Sequence, residues 1–376
     1  MSSYSYGKQT IGQSDIDAVV ATLKSDFLTQ GSKVKEFEDK ICEVTGAKYA
    51  VAVSSGTAAL HLSILALGLK PKDAGLTSPM TFAASANCLR YVGATVQFAD
   101  IDSNTGLISP EEIKKKITPE TKVIIPVHYS GQSADMEMIH EIAKSNNIYV
   151  IEDAAHAIGS TYQGYRVGSC QYSDLTTFSF HPVKTITTGE GGAITTNSKK
   201  LYDKLMTLRS HGITKMPEKY PWYYEMNELG YNYRLPDILA ALGISQINKL
   251  SIFTKKRANL VKQYQHAFKN NPHCRVLKEL SNRKTAFHLF PLLINFSKIK
   301  ITKQELFRKL ASRGINLQVH YIPVHYQPYY KQLGFKVGDY PHSEAYYDQE
   351  VSLPLYPALT SKDVKIIIKI IKNFIK

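Results

Sequence analysis

A lysine, an aspartate and a turn of small residues are the groups in this 376-residue chain best placed by type and spacing to do covalent chemistry. Lys184 follows the β-rich run Thr177-Phe-Ser-Phe-His181, in a turn braced by Pro182 and flanked by hydroxyl residues. A lysine confined in this way can form a Schiff base with a carbonyl compound, although a lone lysine is usually a solvated surface group. Asp153 closes the run Ile148-Tyr-Val-Ile-Glu-Asp153. A carboxylate thus stands at a strand end, the edge where open α/β sheets bind ligands; alone, it reads equally well as a helix cap. His156, three residues on, is by itself more often structural than catalytic. Val51-Ala-Val-Ser-Ser-Gly-Thr57 passes from strand to helix through small residues. Their backbone N–H groups and hydroxyls can reach an anion at a helix start, where the dipole favours negative charge. The plainer reading is a capped helix entry.

The combination is more specific than its parts. A phosphate cradle, a carboxylate for a pyridinium nitrogen and a Schiff-base lysine are what a pyridoxal phosphate (PLP) site requires. All three occur here, in that order, each at the mouth of a strand.

Alternating elements must position them. Short apolar runs at 49–53, 95–98, 122–127, 148–151, 174–180 and 192–196 read as strands, and stretches such as 58–67 and 135–145 read as helices. Ser14 and Asp17 have the spacing of a capping box for the first helix. Strand–helix alternation implies an α/β fold with a mainly parallel sheet covered on both faces. The pattern changes after Gly230. A long helix over 238–268, bent near Gly243, leads to a smaller α+β region with strands at 288–294 and 315–319 and helices at 303–311 and from Ser361. The expected division is a large domain over residues 1–245 and a small one over 246–376.

Composition narrows the function classes. Hydrophobic residues make up 43% of the chain, too many for a disordered protein. The formal charge of +14 is uneven: residues 240–376 hold 23 Lys and Arg against 7 Asp and Glu, whereas residues 1–239 hold 23 against 25. The basic residues of the last third, Lys362, Lys365, Lys369 and Lys372 among them, recur at helical spacing between Ile and Val. This is a solvated helix face with snorkelling stems, and no nucleic-acid-binding motif accompanies it. A milder role for the charge is steering of an anionic substrate. No segment approaches the length of a membrane span. Cys42, Cys88, Cys170 and Cys274 are scattered without metal spacing, so no metal is expected, and reduced thiols point to the cytoplasm.

At these residues the chain resembles, over essentially its full length, the DegT/DnrJ-type sugar-nucleotide aminotransferases, a branch of the fold-type I PLP enzymes. The resemblance implies a seven-stranded, mainly parallel sheet and PLP as cofactor. It places the cofactor on Lys184 of the Phe-Ser-Phe-x-x-x-Lys segment, with Asp153 pairing the ring nitrogen, His156 beside the ring and Phe82 of Thr81-Phe-Ala-Ala-Ser-Ala-Asn87 stacking on it. Gly56, Thr57 and Ser179 match the phosphate ligands. Asn232 of Gly230-Tyr-Asn-Tyr-Arg234 matches a residue that reaches the neighbouring subunit's phosphate, which implies a homodimer with shared sites. Segments such as Pro126–Gln132 and Val319–His325 resemble the subgroup that aminates C4 of a UDP-linked 4-keto-6-deoxy-N-acetylhexosamine in pseudaminic acid biosynthesis, with L-glutamate as donor. Substrate contacts in that subgroup carry over to Tyr6, Asp26, Phe27, Leu28, Thr29, Gly56, Ser179, Asn232, Gln318, Val319, His320 and Tyr321. Tyr326, Tyr329 and Tyr330 read as packing residues. Some relatives dehydrate sugars with histidine in place of the lysine, and Lys184 favours transamination.

Overall fold

The computed structural model describes residues 3–375. Helices α1 (Gln13–Leu23) and α2 (Ser32–Thr45) precede β1 (Tyr49–Val53) and α3 (Gly56–Leu67). There follow β2 (Ala74–Thr77), α4 (Ala84–Tyr91), β3 (Thr95–Phe98), α5 (Pro110–Lys116), β4 (Thr121–Ile125), α6 (Met136–Ser145) and β5 (Tyr149–Asp153). After the short pair β6 (Thr161–Tyr162) and β7 (Tyr165–Arg166) come β8 (Leu175–Ser179), β9 (Gly192–Thr196) and α7 (Lys199–Arg209). The main sheet has seven strands in the order β1-β9-β8-β5-β4-β2-β3, and only β9 runs against the rest. Its strands are buried on both faces, which is why they read as continuous apolar runs rather than alternating ones.

A hairpin, β10 (Ile213–Lys215) with β11 (Tyr224–Met226), leads to α8 (Asp237–Ile247) and α9 (Leu250–Phe268). The expected single bent helix is therefore two. Gly243 does not bend α8; a Cβ there would lie 2.7 Å from the Phe37 ring, so glycine makes room for packing. The break falls at Asn248 and Lys249, where the Lys249 ammonium pairs with buried Asp15 at 2.6 Å. Asp15 also accepts the Gly12 N–H at 2.8 Å, so α1 is capped from Gly12 rather than through Ser14 and Asp17.

The second core is built on β12 (Cys274–Val276), β14 (Phe290–Ile294) and β15 (Glu350–Leu353), all antiparallel, while β13 (Arg283–Lys284) pairs with β6. It is covered by α9, α10 (Lys303–Ala311) and α13 (Ser361–Lys372). Between them, α11 (Pro328–Gln332) and α12 (Pro341–Gln349) cross back to the first core, where Tyr330 and Tyr340 pack around Phe98. Residues 315–319 form isolated bridges, Ile315 to Tyr4 and Gln318 to Ser352, instead of the expected strand. The next amide, that of His320, is spent on the Glu350 side chain rather than on a ladder.

One buried ion pair ties α2 and α7 to the sheet edge. Glu38 Oε1 accepts the Arg209 guanidinium at 2.6 Å and the Ala52 N–H at 2.9 Å, and Arg209 also donates to the Ala52 carbonyl. Glu38→Ala strands the Arg209 charge, and urea unfolding is expected to show a loss of about 3–5 kcal/mol.

Candidate active site

Strand register places the site. Asp153 sits opposite Thr177, Ser179 opposite Gly192, and Gly192 opposite Val53, so the ends of β5, β8 and β1 meet along one sheet edge. The approach is close. A Cβ on Gly192 would lie 2.4 Å from the Ser55 carbonyl, and one on Gly56 would lie 2.8 Å from Ser179 Cβ. Ser55 caps α3 by accepting the Ala58 N–H at 3.0 Å, and the Ala59 N–H closes on the Ser55 carbonyl. The amides of Gly56 and Thr57 precede the first intrahelical bonds and are left for an anion.

Neighbouring residues of β5 serve opposite faces. Glu152 is buried with His128 at 2.7 Å, Ser173 at 2.5 Å and Thr176 at 3.0 Å. Burial raises its carboxyl, but these hydrogen bonds outweigh that and hold it below the usual value. Asp153 faces the cavity. Its Oδ2 accepts Ser85 Oγ at 2.6 Å and its Oδ1 the Ala155 N–H at 3.2 Å, and Thr81 backs Ser85 at 2.7 Å. Lys184 is held in its turn by its N–H to the His181 carbonyl at 2.9 Å. Burial pushes its ammonium down to about 8, against the raising effect of the Asp153 carboxylate.

A cavity of about 620 Å³ opens over these groups. Tyr6, Gly56, Thr57, Phe82, Asp153, His156, Ser179, Lys184, Gln318, Val319, His320 and Tyr321 all line it. The Phe82 side chain is 63% exposed, an unusual state for phenylalanine that leaves its ring to the cavity. His156 Nε2 lies 2.9 Å from the Tyr321 hydroxyl, while its buried Nδ1 has no protein partner among the described residues. Burial, with Lys184 and His320 nearby, holds His156 well below its ordinary value. Asp26, Phe27, Leu28, Thr29 and Asn232 are not among the lining residues. Asp26 and Phe27 border a separate hollow of about 350 Å³ between α1 and α8, and Asn232 is exposed, bridged to Ser210.

Some residues at the site carried no signal of their own. Ser85, which orients Asp153, stands four residues after Thr81 at a helix start, a polar i, i+4 pair inside a segment singled out only for Phe82. His288 lines the cavity 4.4 Å from the His156 ring, and an isolated histidine in the sequence gives no hint of that.

The family model for DegT/DnrJ/EryC1/StrS aminotransferases matches residues 9–372. The chain belongs to that family. This sugar aminotransferase is 42% identical over 365 residues to the UDP-4-amino-4,6-dideoxy-N-acetyl-beta-L-altrosamine transaminase of Campylobacter jejuni, covering 96% of this chain and 95% of that one. It is 40% identical over 378 residues to the spore coat polysaccharide biosynthesis protein SpsC of Bacillus subtilis, covering 99% and 97%. Among solved structures, PseC of Helicobacter pylori, an aminotransferase involved in the biosynthesis of pseudoaminic acid, superposes with a TM-score of 0.93 at 34% identity, covering 99% of both chains. The PLP form of Spr1654 of Streptococcus pneumoniae superposes with a TM-score of 0.92 at 30% identity, covering 99% and 98%.

The aminotransferase uses PLP, and its own residues fit that group. Gly56 leaves a cradle that a Cβ would fill, Asp153 is braced for a ring nitrogen, and His156 offers an orphaned Nδ1. Among the described residues, no helix is long and apolar enough to cross a membrane and no cluster of His, Cys, Asp or Glu is placed to hold a metal. In cofactor-free protein, acylation of Lys184 is expected to follow a midpoint near pH 8. The Asp153 charge favours the ammonium, so Asp153→Asn moves that midpoint lower still; peptide mapping of the modified lysine across pH reads both.

Proposed function

We propose that this aminotransferase moves the amino group of L-glutamate to C4 of a UDP-linked 4-keto-6-deoxy-N-acetylhexosamine, in two half-reactions at one site. The observation that carries the reading is 42% identity over nearly the full chain to a transaminase of that sugar class, joined to a cavity whose floor holds Lys184 beside Asp153. Gly56, Thr57 and Ser179 would hold the cofactor phosphate, Phe82 and His156 would flank its ring, and Asp153 would keep the proton on its nitrogen. When bound, PLP supplies the sink for the electron pair of the broken C–H bond. Lys184 Nζ takes the proton from Cα of glutamate in the first half-reaction and delivers one to C4 of the sugar in the second. Its lowered proton affinity suits both directions near neutral pH. Tyr6 and Gln318–Tyr321 line the part of the cavity left for the sugar nucleotide.

The same proposal includes a homodimer. Ile16, Val20 and Leu23 make an exposed apolar stripe along α1, continued by Phe27 and Leu28, and such a surface marks an association site. Asp26–Thr29 and Asn232 lie outside this chain's own cavity and would serve the partner's.

Purified enzyme with PLP and glutamate, offered UDP-, TDP- and GDP-linked 4-keto-6-deoxy sugars, is expected to aminate the UDP-linked N-acetyl sugar, identified by mass and NMR. A clear preference for another nucleotide, or a deoxygenated product, would overturn the assignment. Lys184→Ala is expected to lose at least about 10²-fold in turnover. If the site is shared, mixing Lys184→Ala with Asn232→Ala subunits regains activity that neither variant has alone, because the hybrid contains one site with both residues intact. Assay after subunit exchange decides this.

A further inference from the structure

A hydrogen-bond chain runs through the cavity wall from a buried carboxyl to an imidazole on the substrate side. Glu350, which opens β15, is fully buried. Its Oε2 accepts the His320 backbone N–H at 2.8 Å, and its Oε1 lies 2.5 Å from Ser352 Oγ. Ser352 Oγ is in turn 2.8 Å from His320 Nδ1. The Tyr129 hydroxyl donates to the His320 carbonyl at 2.5 Å, so the backbone carrying the ring is fixed on both sides. His320 lines the cavity, and no protein group among the described residues bonds its Nε2.

A hydroxyl has one proton to give, so the chain has two directions. With Glu350 ionised, Ser352 donates to the carboxylate and accepts from Nδ1–H, and Nε2 faces the cavity as a bare acceptor. With Glu350 protonated on Oε1, the carboxyl donates to Ser352 and Ser352 donates to Nδ1. The single ring proton then sits on Nε2, which becomes a donor. The ring is neutral in both directions, because burial and the Lys184 charge hold His320 down to about 3.

We propose that Glu350 is a positioning residue which, through Ser352, sets the nitrogen of His320 that carries the proton and thereby whether the cavity wall donates to or accepts from the sugar nucleotide. This rests on the reading of the cavity as a sugar-nucleotide site. Burial pushes the Glu350 carboxyl up to about 8, against the lowering effects of Ser352, the His320 amide and Lys303. Near neutral pH the donor direction therefore holds, matched to an oxygen acceptor of the substrate. Lys303, Tyr129, Tyr321 and Tyr346 face Glu350, and Lys184, His156, His288 and Tyr6 surround the His320 ring. The tyrosines are raised and the histidines lowered by burial, so the charges nearest the switch are Lys303, with Asp348 beside it, and Lys184, with Asp153 beside it.

The test is ¹⁵N NMR of histidine-labelled holoenzyme without sugar, with the His320 signals identified by their loss in His320→Gln. In the wild type, Nε2–H is expected to give way to Nδ1–H as pH rises, with a midpoint near 8. Glu350→Gln keeps its carbonyl on the His320 amide and turns its NH₂ to Ser352, so Nε2–H persists at every pH. Ser352→Ala removes the transition and Ser352→Thr restores it, which keeps the test open if the Glu350→Gln protein folds poorly. Between pH 7 and pH 9 the sugar KM of wild type is expected to rise about tenfold more than that of Glu350→Gln, as for one lost hydrogen bond, while the glutamate half-reaction changes equally in both. A His320 tautomer that stays constant from pH 6 to 9.5 in wild type, or switches alike in Glu350→Gln or Ser352→Ala, overturns the proposal. Because no sugar is present in the NMR experiment, that failure is separate from a failure of the substrate assignment, which the product panel reads.

Discussion

The carboxylate of Asp153 is the constraint around which the site is arranged. A buried charge is tolerated only where it is paired and hydrogen-bonded, and Asp153 is served by Ser85, by the Ala155 amide and by the nearby Lys184 ammonium. Strand alternation makes this possible. Because successive side chains of β5 point to opposite faces, Glu152 is consumed by His128, Ser173 and Thr176, and Asp153 is left for the cavity. Two adjacent acidic residues thus do different work. Exchange of their order would keep a carboxylate on each face but change its reach by one methylene, so that neither would meet the partners now placed for it, Ser85 on the cavity side and His128 within the sheet's packing.

The same economy governs the proposed phosphate cradle. Register across β8, β9 and β1 brings Ser179 against the start of α3, and the contact is so close that only glycine fits at positions 56 and 192. The cradle is a product of sheet geometry, with the α3 amides as its chemistry. Its residues come from the turn after β1 and from the consecutive strands β8 and β9 far along the chain, so the site exists only once these strands have paired.

Features set by local pattern were legible in the sequence. The strands at 49–53, 95–98 and 192–196, the helix at 303–311 and the placement of Lys184 and Asp153 at strand ends follow from apolar runs and turn residues. Features set by long-range packing were not. β2 is four residues with a glycine at its centre, and that glycine is required by Leu89, whose Cδ2 would lie 2.3 Å from a Cβ. The division between α8 and α9 answers to Asp15, about 230 residues away, through Ser245 and Lys249. Residues 315–319 have strand composition, yet the His320 amide that would extend a ladder is diverted to Glu350. Neither Ser352 nor Glu350 could be singled out, since a Glu-x-Ser in a short strand has no meaning until His320 is brought beside it.

The charge asymmetry acquires a sharper sense against this geometry. The basic last third contributes His288, Gln318–Ile322, Val324 and Gln327 to the cavity, and none of these is lysine or arginine. Among the described residues, Lys184 is the sole lysine or arginine on the wall, and the proposed function gives it to the cofactor. The positive charge of residues 240–376 therefore lies off the cavity wall, and its field is screened beyond about 10 Å at ordinary ionic strength. Once seated, a diphosphate would find on the described wall no lysine or arginine but Lys184, with the acidic side chains of Asp153 and Glu190 on the same wall, and the α3 amides would already serve the cofactor phosphate. Charge balance thus favours a site completed from outside the single chain. That is the same conclusion to which the displaced Asn232 and Asp26–Thr29 segment point, reached from electrostatics instead of from position.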